Sequence, residues 1–312
     1  MQDFLRPEHL KDFIGQEKNI ENIKIFTQSA LKTGKHHDHI LIHGMPGLGK
    51  TTLSFIIAKL LNKEIRSITG SAVKKASDIV SIITSLKENE VLFIDEIHRI
   101  SIFAEEILYT AMEDFFIDVL IGTGPGARKL KINIPKTTLI GATTKFSSLS
   151  KPLIDRFGVK IHMNEYTDEE INKIIQQYYT KNNIEFEEIA TSEIANRSRK
   201  TPRNAINNAK RVIDLMHFNS KKSICKDTVE KAFIQFEIFP HGLEKLDIKY
   251  LHSLLNQKQA TGINTIASII NVDQEYIQTY IEPFLLQLKF IEKSSKGRII
   301  NENGIEYLKK YC

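Results

Sequence analysis

The sequence predicts an α/β domain followed by a small helical domain and a C-terminal winged-helix domain. In residues 39–61, a short apolar run leads through a glycine-rich turn into an apolar stripe at helical spacing. Near Tyr166 the pattern becomes helical, and beyond residue 239 three helical stretches precede a hairpin. A chain of 312 residues is long enough for two or three domains. We expect boundaries at 1–166, 167–238 and 239–312.

The first domain carries the pattern of a parallel sheet with helices. Residues 39–43 and 91–94 are buried strands, and residues 138–142 form a third strand that we expect between them. Leu130, Ile132 and Ile134 alternate with polar residues, which is typical of a half-exposed strand. With Gly122–Gly126 as its turn, this strand predicts an inserted hairpin.

The rest of the chain carries helix signals. Thr167 and Glu170 form a capping-box pattern, and Thr201-Pro202 is a good helix start. After a break at 239–242, we expect three further helices and a terminal hairpin, which is the outline of a winged helix. The predicted helices span 247–256, 264–270 and 273–288, and the hairpin spans 290–301.

Composition excludes several protein classes. Forty-three basic and 38 acidic residues give a net charge of +5, which permits a nucleic-acid partner without arguing for one. Two cysteines exclude a disulfide scaffold and a cysteine zinc finger. No apolar run is long enough to span a membrane and the N-terminus is charged, so we expect a cytoplasmic protein. His36–His39 is interpreted as a solvated loop, because neighbouring residues of an extended segment point in opposite directions and cannot share a metal.

Gly44–Thr51 matches the phosphate-binding P-loop and has the required strand before it and helix after it. Its glycines let backbone N–H groups approach phosphate oxygens, and the helix N-terminus adds positive charge. Lys50 can reach the β- and γ-phosphates, and the Thr51 hydroxyl can bind Mg²⁺. The alternative is a plain glycine-rich turn.

Acidic and hydroxyl residues at the other strand ends fit nucleotide hydrolysis. Asp95 ends a buried strand and can hold the Mg²⁺ shell, while Glu96 can act as a general base toward water. Thr143 or Thr144 can orient that water. Arg156 can reach a neighbouring subunit's nucleotide, although pairing with Asp155 is the commoner role for such a residue.

Several longer runs occur in order and together carry a family resemblance. They are Leu5–Pro7, Phe13–Gln16, Gly44–Thr52, Leu92–Arg99, Tyr109–Phe115, Ile121–Arg128, Gly141–Thr144, Pro152–Gly158 and Arg197–Arg203. The chain thereby resembles the RuvB family of AAA+ motors, which drive branch migration of Holliday junctions in bacteria. The resemblance implies an AAA+ P-loop ATPase core, a helical lid and a winged-helix head. It further implies a homohexameric ring on double-stranded DNA that uses ATP and Mg²⁺, with a RuvA-type partner and a junction resolvase.

The resemblance also assigns residues. Asp95 and Glu96 would be the Walker B pair, Thr143 (slightly favoured) or Thr144 the sensor, Arg156 a finger in trans, and Thr51 and Asp95 the Mg²⁺ residues. The nucleotide would contact Leu5, Arg6, Phe13, Ile14, Gly44, Gly47, Leu48, Gly49, Lys50, Thr51, Thr52, Glu113, Asp114, Phe115, Tyr166, Pro202 and Arg203.

Two surfaces are assigned to macromolecular partners. Lys293, Lys296 and Arg298 on the wing are the predicted DNA contacts, because phosphate contacts suit a motor that must track any sequence. The 117–136 hairpin would dock on the RuvA-type partner through Ile117, Leu120 and Ile121; the alternative is a hairpin that packs on its own domain. A further basic cluster is interpreted as a solvated helix face with one sensor arginine; it comprises Arg197, Arg199, Lys200, Arg203, Lys210 and Arg211.

Three departures from the family pattern stand out. Met45 replaces a usual proline, Lys200 replaces a usual glycine, and the wing 293–298 carries lysines where the family has arginines. Lysine keeps the charge but lacks the bidentate fork of arginine. The rival function is a clamp-loader-like or chaperone-like AAA+ switch, and a small-molecule kinase is a remote third.

Overall fold

The computed structural model describes residues 6–34, 37–88, 90–121, 128–257 and 259–312, with the backbone alone at Leu120, Ile121 and Lys129. The chain divides into two compact units, Met1–Tyr166 and Thr167–Cys312. Within the described residues, no helix is both long and apolar enough to cross a membrane.

The first unit is built on a five-stranded parallel sheet. The unit contains seven strands among its described residues: β1 (Ile40–His43), β2 (Glu64–Thr69), β3 (Glu90–Asp95), β4 (Phe116–Ile121), β5 (Arg128–Asn133), β6 (Thr138–Thr143) and β7 (Val159–His162). The sheet order is β2-β3-β6-β1-β7, and β4 and β5 form a separate antiparallel hairpin. The prediction that the third strand lies between the first two is therefore confirmed, since β6 pairs with both β1 and β3.

The two edge strands were not predicted from the sequence. Every residue of β2 is at least partly exposed, and β7 alternates exposed with less exposed positions. Edge strands carry polar residues such as Arg66 and Lys160 on their open faces, so they lack the continuous apolar run that marks a central strand.

Helices cover the sheet and supply the core of the unit. They are α1 (Glu17–Thr33), α2 (Lys50–Leu60), α3 (Ala76–Thr84), α4 (Ile102–Glu113) and α5 (Lys151–Asp155). The hydroxyls of Ser101 and Ser150 cap α4 and α5. Leu41 and Ile94 of the sheet pack in one cluster with Leu108 of α4, and all three are almost fully buried. Each such side chain contributes about 1.5–3 kcal/mol on burial. This packing holds the strand ends in place.

The second unit begins with four helices and a short parallel strand pair. These are α6 (Asp168–Lys181), β8 (Glu185–Phe186), α7 (Glu188–Asn196), α8 (Pro202–Phe218), β9 (Ser223–Ile224) and α9 (Lys226–Gln235). Both predicted helix starts are confirmed: Thr167 and Glu170 make reciprocal capping bonds, and Thr201 caps α8.

A winged helix completes the second unit. It comprises α10 (Lys245–Gln257), α11 (Ile263–Ile270), α12 (Gln274–Tyr276), α13 (Glu282–Gln287), β10 (Ile291–Ser294), β11 (Gly297–Ile300) and α14 (Glu302–Tyr311). A π-helical stretch, Ile277–Ile281, joins α12 to α13. The predicted hairpin is confirmed as β10–β11, but its terminal position is wrong, because α14 follows it. Asn301 caps that helix, and Tyr307 and Leu308 bury its apolar face.

Two arginines of the predicted basic cluster tie the helical part of this unit to the winged helix. Arg199 donates to the Gly242 carbonyl at 2.7 Å and to the Asp247 carboxylate at 2.5 Å. Arg197 donates to the Ile238 carbonyl at 3.1 Å. The interpretation of this cluster as a solvated face is therefore wrong for both residues, whose guanidinium groups have structural partners.

Candidate functional site

The P-loop joins β1 to α2 in the predicted geometry. A Cβ on Gly44 would lie 2.7 Å from the Met163 carbonyl oxygen, so only glycine fits there. The Lys50 ammonium donates to the carbonyl oxygens of Gly44 and Met45 at 2.8 and 2.9 Å. Lys50 is 6% exposed at the start of α2, and Thr51 and Thr52 follow in the first turn. The loop, the lysine and the helix N-terminus thus form one concave cationic surface.

An aromatic pair lies against the same loop. A Cβ on Gly49 would come within 3.4 Å of the Phe13 ring and 3.9 Å of the Tyr166 hydroxyl, which donates to the Leu48 carbonyl. Two hydrogen bonds between Gln16 and Asn164 hold the segment of Phe13 beside that of Tyr166. The structure therefore brings together four of the predicted nucleotide residues.

Three further predicted nucleotide residues, Leu5, Arg6 and Ile14, belong to the N-terminal segment. Arg6 is exposed and Ile14 is partly buried, next to Phe13 in the chain. Leu5 lies outside the described residues.

Asp95 lies directly across from the P-loop helix. It ends β3, and its Oδ2 accepts a hydrogen bond from the Thr51 hydroxyl at 3.2 Å. A hydroxyl and a carboxylate are oxygen donors of the kind that Mg²⁺ prefers, so this pair fits the predicted metal site.

Glu96 is held in an unusual conformation. Its φ is 49°, in the left-handed region, and its Oε2 accepts from the Thr144 hydroxyl at 3.0 Å and the Thr144 amide at 3.3 Å. A Cβ on Gly70 would lie 2.3 Å from the Glu96 carbonyl oxygen, so the end of β2 can approach only as glycine. Gly70 was not predicted as a site residue. In the sequence, only its position directly after a strand indicates such a role.

The two sensor candidates differ in what they touch. Thr143 is fully buried, and its oxygen contacts His98 Nδ1 at 2.9 Å and the Lys145 amide at 3.0 Å. Thr144 is the residue whose hydroxyl reaches the Glu96 carboxylate. The geometry favours Thr144 as the sensor, against the slight preference for Thr143.

His98 is a further site residue that the sequence argument did not single out. Its Nδ1 lies 3.1 Å from Glu96 Oε2, and its side chain is 7% exposed. Burial lowers the pKa of His98, and the neighbouring Glu96 only partly opposes that shift. The ring is therefore neutral at pH 7.

Arg156 is folded back on its own unit. Its guanidinium pairs with Glu113 at 3.1 Å, donates to the Pro152 and Tyr109 carbonyls, and stacks over the Tyr109 ring. The expected alternative partner, Asp155, is replaced by Glu113. Glu113 and Asp114 are exposed at the end of α4, and Phe115 has a left-handed φ of 54°.

Pro202 and Arg203 belong to the second unit. Pro202 is the first residue of α8, and the Arg203 side chain is exposed in its first turn.

The predicted DNA contacts on the wing are only partly available. Glu282 is fully buried, yet it accepts from Arg298 at 2.7 Å and pairs with Lys293 at 2.5 Å. The Tyr250 hydroxyl completes this carboxylate's shell at 2.9 Å. Lys296 is exposed and, within the described part of the chain, makes no ion pair. Of the three, it is the cation the fold leaves to solvent.

The predicted partner hairpin needs one correction. Ile117 is fully buried in the unit's own core, so it cannot serve as a partner contact. The side chains of Leu120 and Ile121 and the turn at 122–127 lie outside the described residues. Leu130 lies on β5, opposite Val119 of β4, and is 46% exposed. It was not selected from the sequence as a partner contact.

Two residues of the histidine segment before β1, His37 and His39, are not solvated, and His36 lies outside the described residues. His37 and His39 are 6% and 8% exposed, and His39 bridges the Met112 carbonyl and the Leu139 amide, at 2.9 Å each. Among the residues that the structure describes, no group of histidine, cysteine and carboxylate side chains could hold a metal ion.

Comparison with known proteins agrees with this geometry. The family described as the Holliday junction DNA helicase RuvB P-loop domain matches residues 5–163, the RuvB AAA lid domain matches 166–238, and the RuvB C-terminal winged helix domain matches 240–309.

Named relatives and a solved structure match along nearly the whole chain. The Holliday junction branch migration complex subunit RuvB of Orientia tsutsugamushi is 44% identical over 97% of this chain and 94% of its own length. That of Campylobacter hominis is 44% identical over 97% and 90%. The Thermotoga maritima RuvB Holliday junction branch migration motor matches at 37% identity with a TM-score of 0.87, over 98% of this chain and 99% of that one. With three consecutive domain matches and relatives of this similarity, the chain belongs to the RuvB family of AAA+ P-loop ATPases.

Proposed function

We propose that this protein is an ATP-driven motor that pumps duplex DNA through a Holliday junction held by a RuvA-type partner, driving branch migration in recombination and repair. The observation that carries the proposal is the convergence of Lys50, Thr51, Asp95 and Glu96 at one edge of the sheet. That set fits a nucleotide-hydrolysing core, and the family's own relatives are named for branch migration.

The nucleotide is ATP, bound with Mg²⁺. Lys50 leaves the loop carbonyls for the β- and γ-phosphates, and Phe13 and Tyr166 flank the base side of the loop. When bound, Mg²⁺ neutralises phosphate charge, and Thr51 and Asp95 are the residues that would hold it. Glu96 accepts the proton of the attacking water, and Thr144 orients it.

The working form is a homohexameric ring in which Arg156 serves the neighbouring subunit's nucleotide. In the single chain Glu113 is 55% exposed, so its pair with Arg156 is weak and can be exchanged for phosphate. Glu113 and Asp114 then lie with Arg156 on the face toward the neighbour. Arg203 completes the phosphate contacts of its own chain as the second sensor, with Pro202 beside it.

The protein binds the phosphate backbone of DNA through Lys296 at the wing tip. Lys293, which also pairs with Glu282, contributes in part. The β4–β5 hairpin docks on the RuvA-type partner, with Leu130 as an added apolar contact. The protein works in the cytoplasm with no membrane partner.

The direct test is branch migration of a synthetic four-way junction by the purified protein and a RuvA-type partner. Strand separation should require ATP, the partner and Lys50, and Lys50→Ala should abolish nucleotide binding. The matched control is Lys59→Ala, an exposed lysine of the same helix that pairs with Glu8. ATP hydrolysis without branch migration would favour the clamp-loader-like or chaperone-like switch.

A further inference from the structure

A buried histidine bridges the ends of the two strands that carry the hydrolytic residues. His98 Nδ1 lies 2.9 Å from Thr143 Oγ1 at the end of β6, and 3.1 Å from Glu96 Oε2 just after β3. These contacts place one ring nitrogen between a hydroxyl and the predicted general base.

The proton of that nitrogen follows from the partners. A carboxylate oxygen only accepts, so its approach to Nδ1 at 3.1 Å favours the tautomer with the proton on Nδ1. Thr143 Oγ1 then accepts this N–H at 2.9 Å, in addition to the Lys145 amide at 3.0 Å. The neutral Nδ1–H form therefore satisfies both contacts at once.

All hydrogen bonds to the Glu96 carboxylate converge on a single oxygen. Oε2 accepts from the Thr144 hydroxyl and the Thr144 amide, and His98 Nδ1 lies 3.1 Å from the same oxygen. Oε1 accepts from no group in the described part of the chain. The side chain is 34% exposed, so this second oxygen has access to water.

We propose that His98 is a positioning residue for ATP hydrolysis: together with Thr144 it anchors Glu96 Oε2, so that Oε1 faces the attacking water. This inference rests on the proposed function and adds a residue to its hydrolytic step. The anchoring matters because Glu96 holds a left-handed backbone that an unsupported glutamate would leave.

The test compares His98→Leu, which removes the donor, with His98→Asn, whose amide nitrogen takes the place of Nδ1. Steady-state ATP hydrolysis and equilibrium binding of a fluorescent ATP analogue are measured for both. We expect kcat of His98→Leu to fall about 10- to 100-fold, the usual cost of losing a bond that orients a reacting group. Nucleotide affinity should stay within about twofold of wild type, since His98 contacts no P-loop residue. His98→Asn should recover most of kcat, and exposed His252→Asn is the matched control.

Wild-type kcat in folded His98→Leu, or equal loss in His98→Asn and His98→Leu, would overturn the proposal. If His98→Leu does not fold, Thr143→Val replaces it. This variant removes the hydroxyl that accepts the Nδ1–H of His98, and unchanged kcat would again overturn the proposal. Hydrolysis by the wild type without branch migration would contradict the proposed function but leave the His98 comparison intact.

Discussion

Because Gly70 has no side chain, the end of β2 can lie against the backbone of Glu96, the predicted general base. The Glu96 carbonyl oxygen would lie 2.3 Å from a Cβ at that position, a distance that no neighbour can relieve without moving the Glu96 backbone. We expect Gly70→Ala to lower the ATP hydrolysis rate at least about tenfold while nucleotide affinity changes little. Rate and affinity are measured on the same preparation. Gly262→Ala is the matched control, because nothing lies within 4 Å of its added Cβ; an unaffected Gly70→Ala enzyme would refute the argument.

Glu282 gives the winged helix an acid-sensitive contact. Burial alone would raise the pKa of Glu282, but hydrogen bonds from Arg298, Lys293 and Tyr250 outweigh it and hold the pKa below its usual value. A carboxyl with a lowered pKa stabilises the fold above its unfolded pKa of about 4.3, and that contribution is lost as the pH falls through the folded value.

Glu282→Gln should therefore lower the thermal midpoint at pH 7, and the gap from wild type should narrow toward pH 3. Scanning calorimetry of the full chain from pH 7 to pH 3 measures it. Glu292→Gln, at an exposed position on β10, is the control. A gap that stays constant over this range would show that ionisation of Glu282 is not what stabilises the wing.

The β4–β5 hairpin carries one residue that packs in the core, Ile117, and one that lies on the surface, Leu130. Leu130→Asp should leave the thermal midpoint and basal ATP hydrolysis unchanged but weaken binding to a RuvA-type partner by about tenfold or more. Ile117→Asp buries a charge in the core and should destabilise the unit by several kcal/mol. Partner affinity by titration calorimetry and thermal midpoints distinguish the two. Full partner affinity in Leu130→Asp would place the docking surface elsewhere.

The turn between α7 and α8 shows why the family usually has glycine where this chain has Lys200. Arg199 and Lys200 have φ values of 47° and 51°, so both occupy the left-handed region that favours glycine. Lys200→Gly should raise the free energy of unfolding by about 0.5–1 kcal/mol, measured by chemical denaturation. Lys210→Gly, inside α8, should instead lower it by about 1 kcal/mol. Equal effects of the two substitutions would contradict this explanation.

The elements also show where sequence reasoning succeeds. β6 was expected between β1 and β3, and its pairing with both confirms this order. All three strands are continuous apolar runs, the signal that a buried parallel strand gives in a sequence. β2, β7 and α14 were missed because edge strands and a polar-faced terminal helix lack that signal. Arg298 and Arg199 looked like free surface charges, since nothing in a linear sequence pairs them with Glu282 or Asp247 far along the chain.

In the proposed ring, Arg156 exchanges its pairing with Glu113 for the neighbouring subunit's nucleotide. This exchange makes a prediction about rings that mix two variants. Arg156→Ala should bind ATP but not hydrolyse it, and Lys50→Ala should do neither. Mixing the two variants should restore hydrolysis, because an intact site on one subunit then receives the finger of its neighbour. The rate is followed against the mixing ratio at fixed total protein. Turnover by Arg156→Ala alone would remove this residue from the site.

The bond between Arg199 and Asp247 has a mechanical consequence for such a machine. It joins the helical part of the second unit to the winged helix through a carboxylate that is only 2% exposed. Separating a buried ion pair is costly, because it leaves a charge without its partner and without solvent. This bond therefore favours movement of the helical part of the second unit and the winged helix as one body.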